Sequence, residues 1–100
     1  MIEHLVGLEI INDRLYKEYR KHMKPILHEM GGGFGYDFTV DQVLKSESKN
    51  KINRVFTIYF PSQDIMDQFF SHKKYNEIKE KYFTPAVAST TYIAQYHTSK

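Results

Sequence analysis

Along this chain, segments with the composition and spacing of strands are interrupted by segments whose apolar residues recur at every third or fourth position, as in helices. The order of these segments restricts the possible folds more than any single motif. Residues 2–11, IEHLVGLEII, are rich in β-branched residues and leucine and are predicted to form a strand. Asn12 or Asp13 then caps a predicted helix that runs to about Met30, with apolar residues at every third or fourth position. Pro25 lies inside this pattern and is expected to kink the helix.

The second half of the chain repeats the alternation. Residues 34–40 alternate with a period of two, and residues 54–60, RVFTIYF, form a further predicted strand. Ser62 is expected to cap a second helix, which the sequence SHKK interrupts and Pro85 ends, before a final strand over residues 88–97. With right-handed crossovers, the order β-α-β-β-α-β predicts an α+β, ferredoxin-like fold: a four-stranded antiparallel sheet with two helices on one face.

Length and composition exclude several classes of protein. A chain of 100 residues is expected to form one domain, residues 1–100, and the absence of cysteine excludes disulfides and thiolate metal sites. Fourteen basic residues nearly balance twelve acidic ones and include few arginines, so a nucleic-acid partner is not expected. The first residues do not resemble a secretory signal, and no apolar run approaches the roughly 20 residues that cross a bilayer. A cytoplasmic protein without a membrane partner is therefore expected.

The glycine-rich run GGGFGYDF, residues 31–38, is predicted to connect a helix to a strand. A phosphate loop requires glycines before a helix, whereas glycines after a helix face unpaired carbonyls and the negative end of the helix dipole. Gly31 is therefore predicted to be the left-handed residue that ends the helix. The run also resembles part of an RNA-binding octapeptide, but Gly35, Asp37 and Thr39 would occupy positions that should be apolar.

The strands have apolar residues on both faces. In the third strand, Phe56, Ile58 and Phe60 occupy one face, and Val55, Thr57 and Tyr59 occupy the other. An antiparallel sheet with one solvated face should alternate more cleanly between apolar and polar residues. The prediction is a symmetric homodimer that packs sheet against sheet. The alternative is a monomer with a mildly apolar exposed face.

Several short motifs resemble a known family. The double glycine Gly31 and Gly32, the sequence FPS at residues 60–62, and an aromatic helix that ends near Tyr75 are similar to the bacterial domain-of-unknown-function family thirteen-thirty. The resemblance covers nearly the whole chain. It implies membership of the dimeric α/β-barrel superfamily, whose members include cofactor-free monooxygenases, haem-degrading enzymes, muconolactone isomerases and dye peroxidases. It therefore implies a single dimeric α/β-barrel domain and leaves the reaction open.

The chain departs from the family pattern at three polar positions. Gly33 or Phe34 replaces an arginine that usually follows the double glycine. Tyr59 replaces a carboxylate before the FPS motif, and Tyr82, beside Lys81, replaces a second arginine.

Four residues are predicted to have catalytic roles: His22, Tyr19, Tyr59 and Asp37. His22 lies at the edge of the apolar stripe of the first helix, within reach of Tyr19, and its ordinary pKa suits acid–base chemistry. Asp37 and Tyr59 are expected to point away from the helices toward the dimer face, where a partly dry setting would raise the pKa of the carboxyl group. The alternative for Asp37 is an ion pair across the dimer with Arg54 or a lysine.

These residues indicate a pocket between the first helix and the sheet, lined by Tyr19, His22, Tyr59 and phenylalanines. The chain has eight Tyr and seven Phe, which fits a mostly apolar pocket. One hypothesis is a dimeric enzyme without a cofactor that acts on a small apolar or aromatic molecule. The other is a non-catalytic ligand-binding or assembly module on the same dimer. His4 and His97 are more consistent with frayed strand ends than with a metal pair, so neither a metal nor a cofactor is expected.

Overall fold

The computed structural model describes residues 1–99, which contain four strands and three α-helices. The elements are β1 (Ile2–Ile10), α1 (Asp13–Glu29), β2 (Gly33–Thr39), β3 (Arg54–Phe60), α2 (Gln63–Phe70), α3 (Lys73–Ile78) and β4 (Val87–His97). A π-helical segment, Lys79–Phe83, continues α3. The strands form one antiparallel sheet in the order β2-β3-β1-β4. The predicted α+β, ferredoxin-like architecture is confirmed, and the predicted second helix is divided into α2 and α3.

The helices begin and end at the signals that the sequence contains. The Oδ1 atom of Asn12 accepts a hydrogen bond from the backbone N–H of Leu15 at 3.1 Å, and α1 then continues through Pro25. Gly31 has a φ of 84°, so the predicted left-handed residue after α1 is confirmed. A Cβ atom on Gly32 would lie 2.7 Å from the carbonyl oxygen of Tyr59. Glycine at this second position therefore lets the chain pass close to β3.

The main core lies between the helices and one face of the sheet, which we call the inner face. Its largest fully buried side chains are Tyr16, Phe60, Phe69, Leu8, Met23 and Leu27. They come from β1, α1, β3 and α2, so the core joins both halves of the chain. The other side of the sheet is called the outer face.

A β-bulge in β2 changes which residues face the helices. Phe34 pairs with Ile58, but the next pair in register is Asp37 with Phe56, so two residues of β2 stand opposite one residue of β3. Asp37 consequently lies on the inner face, because its partner Phe56 belongs to the core. The prediction that Asp37 points away from the helices is therefore wrong, since strict alternation does not hold through the bulge.

The outer face has an exposed aromatic patch. Tyr36 and Phe38 stack with their ring centroids 5.8 Å apart, and they are 64% and 55% exposed. Tyr96 adds a third partly exposed ring and donates a hydrogen bond from its hydroxyl to the carboxylate of Glu3. Tyr59 lies half-buried on this face, since it pairs with Glu3 in the neighbouring strand. We call Tyr36, Phe38 and Tyr96 the outer aromatic patch.

Among residues 1–99, none of the helices combines the length and the apolar character that crossing a bilayer requires. The cytoplasmic location stays a prediction.

Candidate functional site

A cavity of about 90 Å³ lies between the inner face of the sheet and the helices. Most of its wall is apolar and includes Met23, Phe34, Phe56, Ile58, Phe70 and Phe83. Its principal polar side chains are His4, Tyr19, Arg20, Tyr75, Lys79 and Thr90. Apolar side chains thus surround a few polar groups.

A groove of about 370 Å³ adjoins the cavity on the side of β4 and α2. His4, Phe70 and Tyr92 line both spaces, so these three side chains form their common boundary.

Two buried tyrosines place a pair of hydroxyl groups at the cavity wall. Tyr19 of α1 and Tyr75 of α3 share a hydrogen bond of 2.9 Å between their hydroxyl oxygens. Burial raises the pKa of Tyr75 to about 12 and the pKa of Tyr19 well above 10.0. Both phenols are therefore neutral near pH 7. The pair contains two hydroxyl hydrogens and uses one of them internally, so one remains to donate to a ligand.

Arg20 is the charged side chain most firmly held at this site. Its Nε donates to the hydroxyl oxygen of Tyr16 at 2.8 Å, and its Nη1 donates to Oδ2 of Asp37 at 3.3 Å. Its Cζ atom lies 3.8 Å from the ring centroid of Phe34 and 4.9 Å from that of Phe56. Its Nη2 is buried without a hydrogen-bond partner in the described part of the chain. The guanidinium is thus fixed in place and retains an unused donor.

Asp37 neutralises part of this positive charge. Arg54 binds it through two bonds, from Nε to Oδ1 at 2.7 Å and from Nη2 to Oδ2 at 2.8 Å. The hydrogen bonds from Arg54, together with the charge of Arg20, lower the pKa of the Asp37 carboxyl group. The rise of this pKa is therefore not found. The alternative, an ion pair of Asp37 with Arg54, is present, but it forms within one chain and not across a dimer.

His4 of β1 is oriented by a neighbouring amide. Its Nε2 lies 2.6 Å from Oε1 of Gln95 on β4. A carboxamide oxygen can only accept, so Nε2 of His4 is the donor in this bond. The edge contact of the imidazole with Tyr92, at 6.0 Å between centroids, holds it from a second side.

Comparison with known protein families identifies the relatives of this chain. Residues 4–96 match the family described as Domain of unknown function (DUF1330). The chain belongs to the DUF1330 family. This membership confirms the family resemblance that the double glycine and the FPS sequence indicate. No curated protein matches the chain significantly.

Solved structures confirm the fold of this DUF1330 protein. A protein of unknown function from Rhodopseudomonas palustris is 17% identical, with a TM-score of 0.82, over 99% of this chain and 82% of that chain. A dabb family protein with a ferredoxin-like fold from Mesorhizobium loti is 16% identical, with a TM-score of 0.70, over 99% of this chain and 97% of that chain. An uncharacterised NIPSNAP domain protein from Burkholderia xenovorans is 10% identical, with a TM-score of 0.69, over 99% of this chain and 95% of that chain. At these identities the likeness shows the fold alone.

The predicted site residues do not come together in this DUF1330 protein. Tyr19 lines the cavity, as expected, but His22, Tyr59 and Asp37 are not among its described lining residues. His22 is exposed, stacks on Tyr82 at 4.9 Å and lies 3.3 Å from the carboxylate of Glu18. The predicted lining by His22 and Tyr59 is therefore wrong, because the sheet separates Tyr59 from the helices and His22 lies on the solvent side of α1. The predicted lining by Tyr19 and phenylalanines agrees with the cavity. The catalytic roles of the four residues stay predictions.

Two functional candidates were missed by the sequence analysis of the DUF1330 chain. Arg20 follows Tyr16 by four positions, so both lie on the same side of α1, and this spacing is a usable signal. His4 alternates with Val6 and Leu8 and therefore lies on the inner face of β1. Among the described residues, no group of three His, Asp or Glu side chains is placed to hold a metal ion.

The stability contributed by the Asp37 ion pair is expected to disappear in acid. The folded chain holds the pKa of Asp37 below the ordinary 3.8, so this carboxyl group stabilises the fold fully above that value. The contribution is lost as the pH falls through the folded pKa. Because Asp37 is partly exposed, we expect at most about 1 kcal/mol. Urea unfolding of the wild type and Asp37→Asn should show a stability difference that is constant above about pH 5 and shrinks below about pH 4. A difference that persists unchanged into strong acid would contradict this assignment.

Proposed function

We propose that this DUF1330 protein binds a small, partly apolar molecule in the cavity beneath α1 and α3. The observation that supports the proposal is the combination of an apolar, largely aromatic wall with the buried hydroxyl pair of Tyr19 and Tyr75. Such a wall favours an apolar body, and the few polar groups orient it. The proposal retains the predicted class of ligand and moves its site away from His22 and Tyr59.

The size of the cavity limits the ligand. A cavity of about 150 Å³ holds benzene. The 90 Å³ available here accommodates a group of a few non-hydrogen atoms. A ring-sized ligand would place one end in the cavity and the remainder beyond Phe70 and Tyr92, in the adjoining groove.

Binding without chemistry is better supported than catalysis. Tyr19 and Tyr75 have raised pKa values, so they are donors and not bases at neutral pH. The second candidate function is a cofactor-free enzyme that acts on the same ligand. The imidazole of His4 at the cavity wall favours it, because histidine is the side chain most often used in general acid–base catalysis. In that case His4 would be the base.

Two adjacent threonines allow a direct test of binding in the cavity. Thr90 lines the cavity, whereas Thr91 pairs with Gly7 on the outer face. We expect amide signals of cavity residues to shift saturably when ¹⁵N-labelled protein is titrated with benzoate, benzamide, butyrate and butyramide, with at least one Kd in the millimolar range. Thr90→Phe fills the space and should abolish these shifts, whereas Thr91→Phe should retain them. The absence of saturable binding by all four compounds, or equal binding by both variants, refutes the proposal.

We further propose that the working form is a homodimer in which two outer faces pack together. The support is the outer aromatic patch, because exposed apolar surface of this kind is typical of interaction sites. The similarity to a dabb family protein and the superfamily implied by the sequence motifs point in the same direction. In this arrangement the cavity lies on the opposite side of each sheet, so each protomer keeps its own ligand site.

A further inference from the structure

We propose that the ligand of the cavity is a small carboxylate, held at its acidic end by Arg20 and by the hydroxyl pair of Tyr19 and Tyr75. This inference rests on the proposed function and specifies the chemical class of its ligand. It depends on three independent observations: the charge of the wall, its unused donors and the fixed position of the guanidinium.

The charge of the cavity wall is positive. Arg20 and Lys79 both line it, and no Asp or Glu is among its described lining residues. The one carboxylate that ion-pairs with Arg20 belongs to Asp37, and Arg54 already binds both of its oxygens. Arg20 thus shares Asp37 with Arg54, which also interacts electrostatically with Asp13. An anion in the cavity would be attracted by the positive charge of Arg20, and the surrounding aromatic rings would strengthen the attraction by excluding water.

The cavity wall also contains hydrogen-bond donors that have no acceptor among the described residues. Nη2 of Arg20 is buried and has no acceptor in the described residues, and the tyrosine pair has one spare hydroxyl hydrogen. Nε2 of His4 is already used by Gln95. A carboxylate supplies two acceptor oxygens and no donor, which complements this set. A neutral amide would satisfy the same groups less completely.

The guanidinium is pre-organised to receive such a group. Phe34 stacks against it, and Tyr16 and Asp37 hold Nε and Nη1. These contacts fix the plane of the guanidinium, so little side-chain freedom is lost when a ligand binds. A planar carboxylate matches the planar guanidinium, and the hydrocarbon attached to it would contact the apolar wall. Inorganic phosphate has no such hydrocarbon and should bind more weakly.

The test compares acids with their amides on the folded full-length chain. Titrations at constant ionic strength should show benzoate or butyrate binding about tenfold or more tightly than the matching benzamide or butyramide. Arg20→Gln should reduce this preference to about twofold, while Arg14→Gln, which removes an exposed arginine from the same helix, should leave it unchanged. Circular dichroism verifies that each variant is folded, and the acid-to-amide ratio of the wild type provides a readout that needs no variant.

Each result then has a definite meaning. Amides that bind as tightly as acids, or an acid preference that survives in folded Arg20→Gln, overturn the carboxylate assignment and leave the cavity as a ligand site. Phosphate that binds more tightly than either acid overturns the choice of carboxylate. Failure of all four organic probes to bind overturns the proposed function, and the carboxylate assignment with it.

Discussion

Replacement of Phe69 by alanine is expected to lower the free energy of unfolding by about 3–5 kcal/mol. Phe69 is fully buried, and its ring centroid lies 5.4 Å from that of Phe60 and 4.3 Å from that of Tyr75. Domains are stable by only about 5–15 kcal/mol, so this variant should lose a large part of the total. Urea unfolding followed by far-UV circular dichroism, at one fixed protein concentration, measures the loss.

The neighbouring residue provides the control for this prediction. Phe70 belongs to the same ring cluster, with its centroid 5.2 Å from that of Phe69, but it is 38% exposed. Phe70→Ala leaves a smaller void and should cost less than half as much. Equal losses in the two variants would show that the cluster is not the centre of the core. Because Phe69 supports Tyr75, its removal should also weaken ligand binding in the cavity.

Phe38→Glu is expected to raise the dissociation constant of the proposed homodimer by about thirtyfold or more. The substitution introduces a negative charge into the outer aromatic patch, where Phe38 stacks on Tyr36. An unpaired charge in a desolvated interface is strongly unfavourable. Sedimentation velocity over a range of concentrations should show a wild-type dimer at micromolar concentration and a variant that dissociates.

An exposed apolar residue outside the strands serves as the matched control. Ile11 is 63% exposed and follows the end of β1, so Ile11→Glu should leave the dimer intact. A wild type that sediments as a monomer at tens of micromolar would refute the dimer proposal. Equal dissociation of the two variants would show that the outer face is not the interface.

The order of the elements was predictable from the sequence because the spacing of apolar residues is a local property. The helix period between Asp13 and Glu29 and the left-handed Gly31 were both correctly predicted. The bulge in β2 was not. Phe34, Tyr36 and Phe38 have perfect alternation in the sequence, yet the first lies inside and the other two lie outside. The alternation of apolar residues cannot reveal the bulge. The bulge places Asp37 on the inner face, where its ion pairs are with Arg20 and Arg54, residues far from it in the sequence.

The candidate site was predictable only in part. Tyr19 lies on the apolar stripe of α1, so its burial was expected and is observed. Arg20 lies directly beside that stripe, and its burial depends on Phe34 and Phe56 in two different strands. His4 was placed at a strand end because its neighbours in β4 could not be derived from the sequence alone. Contacts of this kind require tertiary structure, whereas periodicity predicts only which side of an element a residue occupies.

The bulge in β2 also affects how the chain can change during evolution. It inserts one residue between Phe34 and Asp37, so a deletion of Gly35 would restore ordinary pairing along the strand. Tyr36, Asp37 and Phe38 would then keep their present sides, because the deleted residue is the extra one of the bulge. A gap of one residue at this point of an alignment would therefore leave both surfaces of the sheet unchanged. A relative whose strand is one residue shorter can present the same side chains to each face without the bulge.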